Sequence, residues 1–161
     1  MAASTHTKRS LSASELRTAR GYIEASARFR SLLEGRLVAD SGLSNGDYAV
    51  LLTLSEAAGG RLRSSELASR VDWERSRLSH HLGRMESRGL VRRETCATDS
   101  RGQEIVLTED GASQFRRASA PHLRAIQDLF VGAFTPEQLA QIDELTHALS
   151  SHLERKTGAS D

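Results

Sequence analysis

The run Trp73-Glu74-Arg75-Ser76-Arg77-Leu78-Ser79-His80-His81, continued by Arg84, concentrates side chains that donate and accept hydrogen bonds. On a helical wheel with Leu78, Leu82 and Met85 turned inward, Ser76, His80, Gly83 and Ser87 lie opposite, flanked by Arg77, Ser79 and Arg84. Small and hydrogen-bonding residues along the centre, with arginines on the shoulders, suit a helix entering a groove ~12 Å wide. An arginine fork grips guanine through two hydrogen bonds, worth about 1–3 kcal/mol in discrimination, while hydroxyls and imidazoles donate to phosphates or base acceptors. Arg75, Ser76, Arg77, Ser79, His80 and Arg84 are therefore the candidate DNA contacts of this helix. Such a face is common on merely solvated helices, so its neighbours decide the reading.

The neighbours favour DNA. Strand candidates at 90–95 and 103–108 flank a polar turn, Thr98-Asp99-Ser100-Arg101-Gly102, which reads as a hairpin. Val91 on one strand, and Ile105 and Leu107 on the other, supply its apolar contacts. Asp99 and Arg101, two apart at the turn, are expected to hold each other through a charged hydrogen bond. That would stiffen the guanidinium for a narrow minor groove, where negative potential is highest. A surface ion pair alone is worth little. Two short helices and then a charged hairpin, in that order, are far more specific than any one piece.

The elements that must position these residues follow from local signals. A long helix is expected over 12–40, with Leu16, Ala19, Ile23, Ser26, Arg30, Leu33 and Leu37 on one face and Tyr22, Phe29 and Leu32 on a second flank. Gly42 breaks it. Ser44 is the N-cap of the next helix, with Asp47 reaching back, and that helix stops at Gly59-Gly60. Leu62 sits in a minimal strand, a short helix runs from Ser64 to about Val71, and Asp72 is the expected N-cap of the reading helix, which ends at Gly89. Beyond the hairpin, a helical stretch opens at Thr108 and runs through Ala133, with Pro121 expected to kink or split it. Thr135-Pro136-Glu137-Gln138 starts the last helix, whose stripe is Leu139, Ile142, Leu145, Leu149 and Leu153.

Composition sets bounds. The chain has 161 residues, 38% hydrophobic and 27% charged, which fits one domain or a small core with helical extensions. No run approaches the roughly 18 apolar residues of a membrane helix, and residues 1–10 lack a signal-like apolar stretch, so a cytoplasmic protein is expected. One cysteine, Cys96, excludes an intramolecular disulfide and a zinc site of the cysteine-pair kind. Net charge is only +1, but residues 61–101 hold ten arginines against six acids, while residues 120–161 hold three bases against six acids. A positive middle and a negative tail suit one face turned to phosphates. Phosphate-cradling glycine loops, nucleophile elbows and convergent carboxylate pairs are not found, so no enzyme, cofactor or metal is implied.

Asp99-x-Arg101, five residues, and then Leu107-Thr108-x-x-Gly111 resembles the hallmark of the multiple-antibiotic-resistance (MarR-type) family of winged-helix regulators. Glu66-Leu67-Ala68, Ser76-x-x-Ser79, Arg84-Met85-Glu86-x-x-Gly89-Leu90-Val91 and the Leu43-Ser44 helix opening fall where that family has counterparts. The similarity spans about residues 11–153. It implies a mainly α fold with a small β-hairpin wing: a dimerisation helix at 11–42, a winged helix-turn-helix at 43–110, and dimerisation helices at 111–154 between flexible tails at 1–10 and 155–161. It further implies homodimers that bind palindromic double-stranded operators, usually as repressors, and let go on binding a small, often aromatic or phenolic, ligand. The chain departs from the pattern at Val71-Asp72-Trp73, where the family often has a glycine and a smaller residue, and in the pair His80-His81.

Pairing also follows from the residues, because the long first helix and the last helix expose more apolar surface than one thin domain covers. For an effector, Tyr22, Phe29 and Arg30 with Tyr48 would combine an apolar box with a cation suited to an acidic aromatic. Trp73 is read as packing between helices, in preference to lying against a sugar-phosphate backbone. His122, His147 and His152 are read as solvated or interfacial. Cys96, with Arg92 or Arg93 near enough to lower its pKa, leaves a thiol-based redox regulator as one alternative; an unremarkable thiol is the better reading. A helical protein-interaction module without DNA binding is the other alternative, to be separated by salt-sensitive binding to genomic DNA.

Overall fold

Paired caps set the first helix boundaries. The structure, a computed structural model, describes residues 10–96 and 99–157, with the backbone alone at 96 and 99–102. Ser12 Oγ accepts from the Glu15 amide at 3.2 Å and the Glu15 carboxylate accepts from the Ser12 amide at 2.8 Å, opening α1 (Ala13–Ser41). Gly42 closes α1 with a left-handed φ of 69°, its N–H reaching the Val38 carbonyl at 2.8 Å. Ser44 and Asp47 repeat the reciprocal cap at 3.1 and 3.0 Å, opening α2 (Asn45–Glu56). A 3₁₀ turn (Ala58–Gly60) and a three-residue strand, β1 (Arg61–Arg63), follow.

The helix-turn-helix comprises α3 (Ser64–Arg70) and α4 (Arg75–Ser87). Asp72 is not the N-cap of α4. That position falls on Glu74, which makes no side-chain capping bond, and Asp72 lies in the turn with a left-handed φ of 54°. Aspartate is among the few non-glycine residues that tolerate this backbone, so the turn dispenses with the usual glycine. At the far end, Gly89 (φ 71°) donates to Glu86 O at 2.9 Å and Leu90 N–H reaches Met85 O at 3.0 Å. These bonds stop α4 and turn the chain into the wing.

The wing strands β2 (Val91–Cys96) and β3 (Asp99–Leu107) pair antiparallel, and β1 adds to the other side of β3, giving the order β1-β3-β2. Ile105 is central, opposite Leu62 on one side and Arg93 on the other. The second strand begins earlier than the sequence placed it, for Asp99 to Gly102 belong to β3 and not to the turn. Thr95 faces Gln103 but Cys96 faces Asp99, so β3 carries extra residues at this point and the ladder is locally broken. The expected Asp99–Arg101 pairing and the Cys96 thiol lie outside the described residues.

Thr108 joins the wing to α5 (Glu109–Leu129). Its Oγ1 accepts from the Gly111 amide at 2.9 Å and donates to the Gly89 carbonyl at 2.6 Å, with the Leu90 carbonyl at 3.0 Å. Gly111 is buried so closely that a Cβ there would drive into the Leu90 carbonyl. The Leu-Thr-x-x-Gly spacing is thus a helix cap riveted to the start of β2. Pro121 does not split α5, which runs through it as one 21-residue helix. After a 3₁₀ turn (Val131–Ala133), a reciprocal Thr135–Gln138 cap at 2.9 and 3.3 Å opens α6 (Pro136–Thr157).

The core lies beneath the sheet. Val50, Leu51 and Leu54 from α2, Leu67 from α3, and Leu78, Leu82 and Met85 from α4 meet Leu90, Val91 and Ile105, all fully buried. Each fully buried leucine is worth about 1.5–3 kcal/mol, so this cluster fixes α4 against the wing. The long helices differ. In α1 only Leu37 is buried, and α6 buries nothing; Ile23 is 63% and Leu145 69% exposed. Phe29 of α1 meets Phe130 at 5.4 Å and Arg36 pairs with Asp128 at 3.2 Å, tying α1 to the α5 end.

Candidate nucleic-acid interface

The buried stripe of Leu78, Leu82 and Met85 leaves the opposite side of α4 in solvent, and Arg75, Ser76, Arg77, Ser79, His80 and Arg84 are all exposed. Nothing lies within 4 Å of a Cβ built at Gly83, so the centre of the face is low and open. The arginines nearby divide into two groups. Arg61 pairs with Glu94 at 3.2 Å, Arg70 with Glu66 at 2.7 Å, Arg88 with Asp47 at 2.7 Å and Arg92 with Glu94 at 2.7 Å. Arg93 donates to the Ser79 carbonyl at 2.9 Å, with Glu86 at 3.6 Å. Those five have partners within the fold. Arg75 and Arg77, by contrast, have no carboxylate partner among the described residues, so their charge is open to an incoming phosphate or base.

Two expected contacts are more engaged than the sequence implied. Arg77 lies over the indole of Trp73, its guanidinium carbon 4.4 Å from the ring centroid, a stacking worth about 0.5–1 kcal/mol at an exposed site. Arg84 reaches His81 Nδ1 at 2.9 Å. His81 itself was missed. It is 9% exposed, points inward, meets Trp73 edge-on at 5.1 Å, and brings Nε2 to 3.0 Å from Asp47 Oδ1 without the alignment of a hydrogen bond. The signal was in the spacing, because position 81 is three after Leu78 and four before Met85 and so shares their face.

Asp47 ties this cluster, through Arg88, to the end of α1. Its Oδ2 accepts from Arg88 at 2.7 Å and from the Ser44 amide at 3.0 Å, while Arg88 also donates to the Gly42 carbonyl at 3.0 Å. Burial alone would raise the Asp47 pKa; the bonds from Arg88 and Ser44 outweigh it and hold the carboxyl below its usual range. His81 is pushed below the ordinary histidine range, chiefly by burial, with Arg84 and Arg88 adding to the effect against the pull of Asp47. One carboxylate thus links the end of α1, the start of α2 and the end of the reading helix.

The candidate effector residues fall in separate places. Tyr22 and Arg30 are exposed on α1, and Phe29 packs on Phe130, which in turn meets Phe134 at 5.3 Å. Tyr48 belongs to a second cluster, 5.2 Å from Phe115 and 4.3 Å from His122, with its hydroxyl 3.4 Å from Ser119. His122 is half-buried rather than solvated, and burial lowers its pKa. Its Nδ1 has no hydrogen-bond partner among the described residues. His147 and His152 are exposed on α6. No group of three or more metal-ligating side chains is placed to hold an ion, and no helix is long and apolar enough to cross a membrane, among the described residues.

Known proteins resemble this arrangement. The MarR family sequence model matches residues 41–102, which span α2 through the wing. The structure of AbsC, a MarR family transcriptional regulator from Streptomyces coelicolor, superposes with a TM-score of 0.84 at 36% identity, covering 91% of this chain and 98% of that one. A second MarR family regulator from that organism, determined in complex with DNA, gives 0.86 at 37% identity over 91% of each chain. The transcriptional regulator HosA of Escherichia coli O157:H7 is 30% identical over 96 residues, 60% of this chain and 69% of its own length.

Proposed function

We propose that this chain, which belongs to the MarR family of DNA-binding transcriptional regulators and is not an enzyme, acts in the cytoplasm as a homodimer on palindromic double-stranded operators, most simply as a repressor. The observation that carries this reading is the exposed face of α4, where Arg75 and Arg77 have no carboxylate partner among the described residues while five neighbouring arginines have partners in the fold. Arg75, Ser76, Arg77, Ser79, His80 and Arg84 are the proposed contacts in the major groove. Asp99 and Arg101 on the wing are the proposed contacts in the adjacent minor groove. The exposed apolar faces of α1 and α6 support a twofold partner, and the two reading helices would then sit about one turn of DNA, ~34 Å, apart.

A ligand that alters that separation would release the operator. Of the four candidate effector residues, Tyr48 is the proposed contact of a small acidic aromatic; Tyr22, Phe29 and Arg30 lie apart from it within one chain. Tyr48 has the strongest support, because His122 Nδ1 beside it has no hydrogen-bond partner among the described residues and could serve an entering molecule.

Selection of duplexes from a randomised pool by the purified chain tests the reading. Recovery of a two-half-site motif, with affinity falling steeply as salt rises, is the expected result. Failure to retain any duplex in dilute salt would overturn it. A promoter carrying the motif then distinguishes repression from activation.

A further inference from the structure

Trp73 stands at the entrance of the reading helix, and three independent contacts converge on its ring. The Arg77 guanidinium lies over the indole at 4.4 Å. His81 meets the same ring edge-on, at 5.1 Å and 84° between planes. At the first turn of α2, Gly46 comes so close that a Cβ would sit 2.8 Å from the outer edge of the indole and 2.9 Å from His81 Cε1. His81 is in turn located by Asp47 at 3.0 Å and Arg84 at 2.9 Å. The indole is therefore wedged between α2 and α4 with a charged fork laid on it.

A long arginine side chain on a solvated helix samples many rotamers, and a base contact must freeze one of them. A ring that holds the guanidinium beforehand removes part of that loss, so the fork meets the base edge already oriented. Removing the ring leaves the charge in place, and general attraction to phosphates survives, whereas discrimination between bases relies on the held geometry.

We infer that Trp73 is the positioning residue for base discrimination by Arg77, with Gly46 and His81 keeping the indole in register. This rests on the DNA-reading role proposed for α4. No side chain of the cluster other than Arg77 and Arg84 need touch DNA for the effect to appear.

The experiment compares wild type, Trp73→Leu, Trp73→Phe, Arg77→Ala and the Trp73→Leu/Arg77→Ala double variant on a duplex selected by wild type and on its single-base variants. Trp73→Leu should lower discrimination by roughly two- to fivefold, Arg77→Ala by roughly fivefold or more, and Trp73→Phe should keep part of it. In the Arg77→Ala background, Trp73→Leu should cost nothing further. An equal loss in both backgrounds, which general damage to the fold would produce, overturns the inference, as does unchanged discrimination in Trp73→Leu. Trp73 is the only tryptophan, so the emission of the free protein reads the contact without any Trp73 variant having to fold. A changed spectrum in Arg77→Ala is expected, and an identical one overturns the stacking. If wild type retains no duplex, the DNA-reading function falls instead, and the emission result still judges the contact.

Discussion

Asp47 does three things with two oxygens: it caps α2, holds Arg88, and lies against His81. Only the first role was legible in the sequence, because a cap is an i, i+3 pattern, whereas Arg88 is 41 residues distant and nothing local announces it. Asp47→Ala should lower stability by about 1–3 kcal/mol, read as a shifted denaturant midpoint at unchanged slope. Titration gives a second check. The Asp47 carboxyl is held below its usual range, so its contribution is complete above that range and is lost as pH falls through it. His81 and His122 are both held below the ordinary histidine value, so they favour the fold while neutral. The unfolded chain takes up those protons first, and stability should therefore decline as pH drops below about 6.5. Thermal midpoints between pH 8 and 5 should show this decline, with a shallower slope in His122→Gln; a parallel slope would mean His122 titrates alike in both states.

Helix ends were easier to foresee than the turns between elements. Ser44 and Thr135 cap as their spacing indicates, since each device is closed within four residues, and Ser12, not singled out in the sequence, caps by the same pattern. Asp72 and Pro121 show the limit. An aspartate near a helix start reads as a cap, yet here the turn between α3 and α4 takes it into the left-handed region. Proline reads as a kink or a split, and the split does not occur, since α5 continues through Pro121. The reading helix was foreseen through its leucine stripe, while the inward turn of His81 was hidden by its polarity. In the wing, the sequence anticipated two strands but not the earlier start of β3, because extra residues on one strand leave no fixed signature. That strand carries Arg101. Arg101→Ala should weaken operator binding by roughly five- to tenfold and reduce the salt slope by about one, with the fold intact by circular dichroism. Unaltered affinity in a mobility-shift assay would remove the wing from the interface.

The whole molecule divides into a reading head with a dense core and long helices that bury little of their own apolar surface. Composition hinted at this division, for it showed more apolar helix than a thin domain covers, but no single chain can display what covers α6. Leu145→Glu, at a position 69% exposed, should leave the monomer fold unchanged and raise the dimer dissociation constant at least tenfold, a cost of about 1.4 kcal/mol. Sedimentation equilibrium decides it, and an unshifted mass would place the partner surface elsewhere. Where α1 meets α2, Arg88 bridges Asp47 and Gly42, so the joint between α1 and the reading head is clamped from the end of a third helix, α4. A joint so fastened should pass torque on instead of soaking it up, so that a small tilt of α1 swings the head as one piece. For the same reason positions 47 and 88 are bound to a common fate. A lineage that swapped the charge of one without answering at the other would loosen two helix ends in a single step.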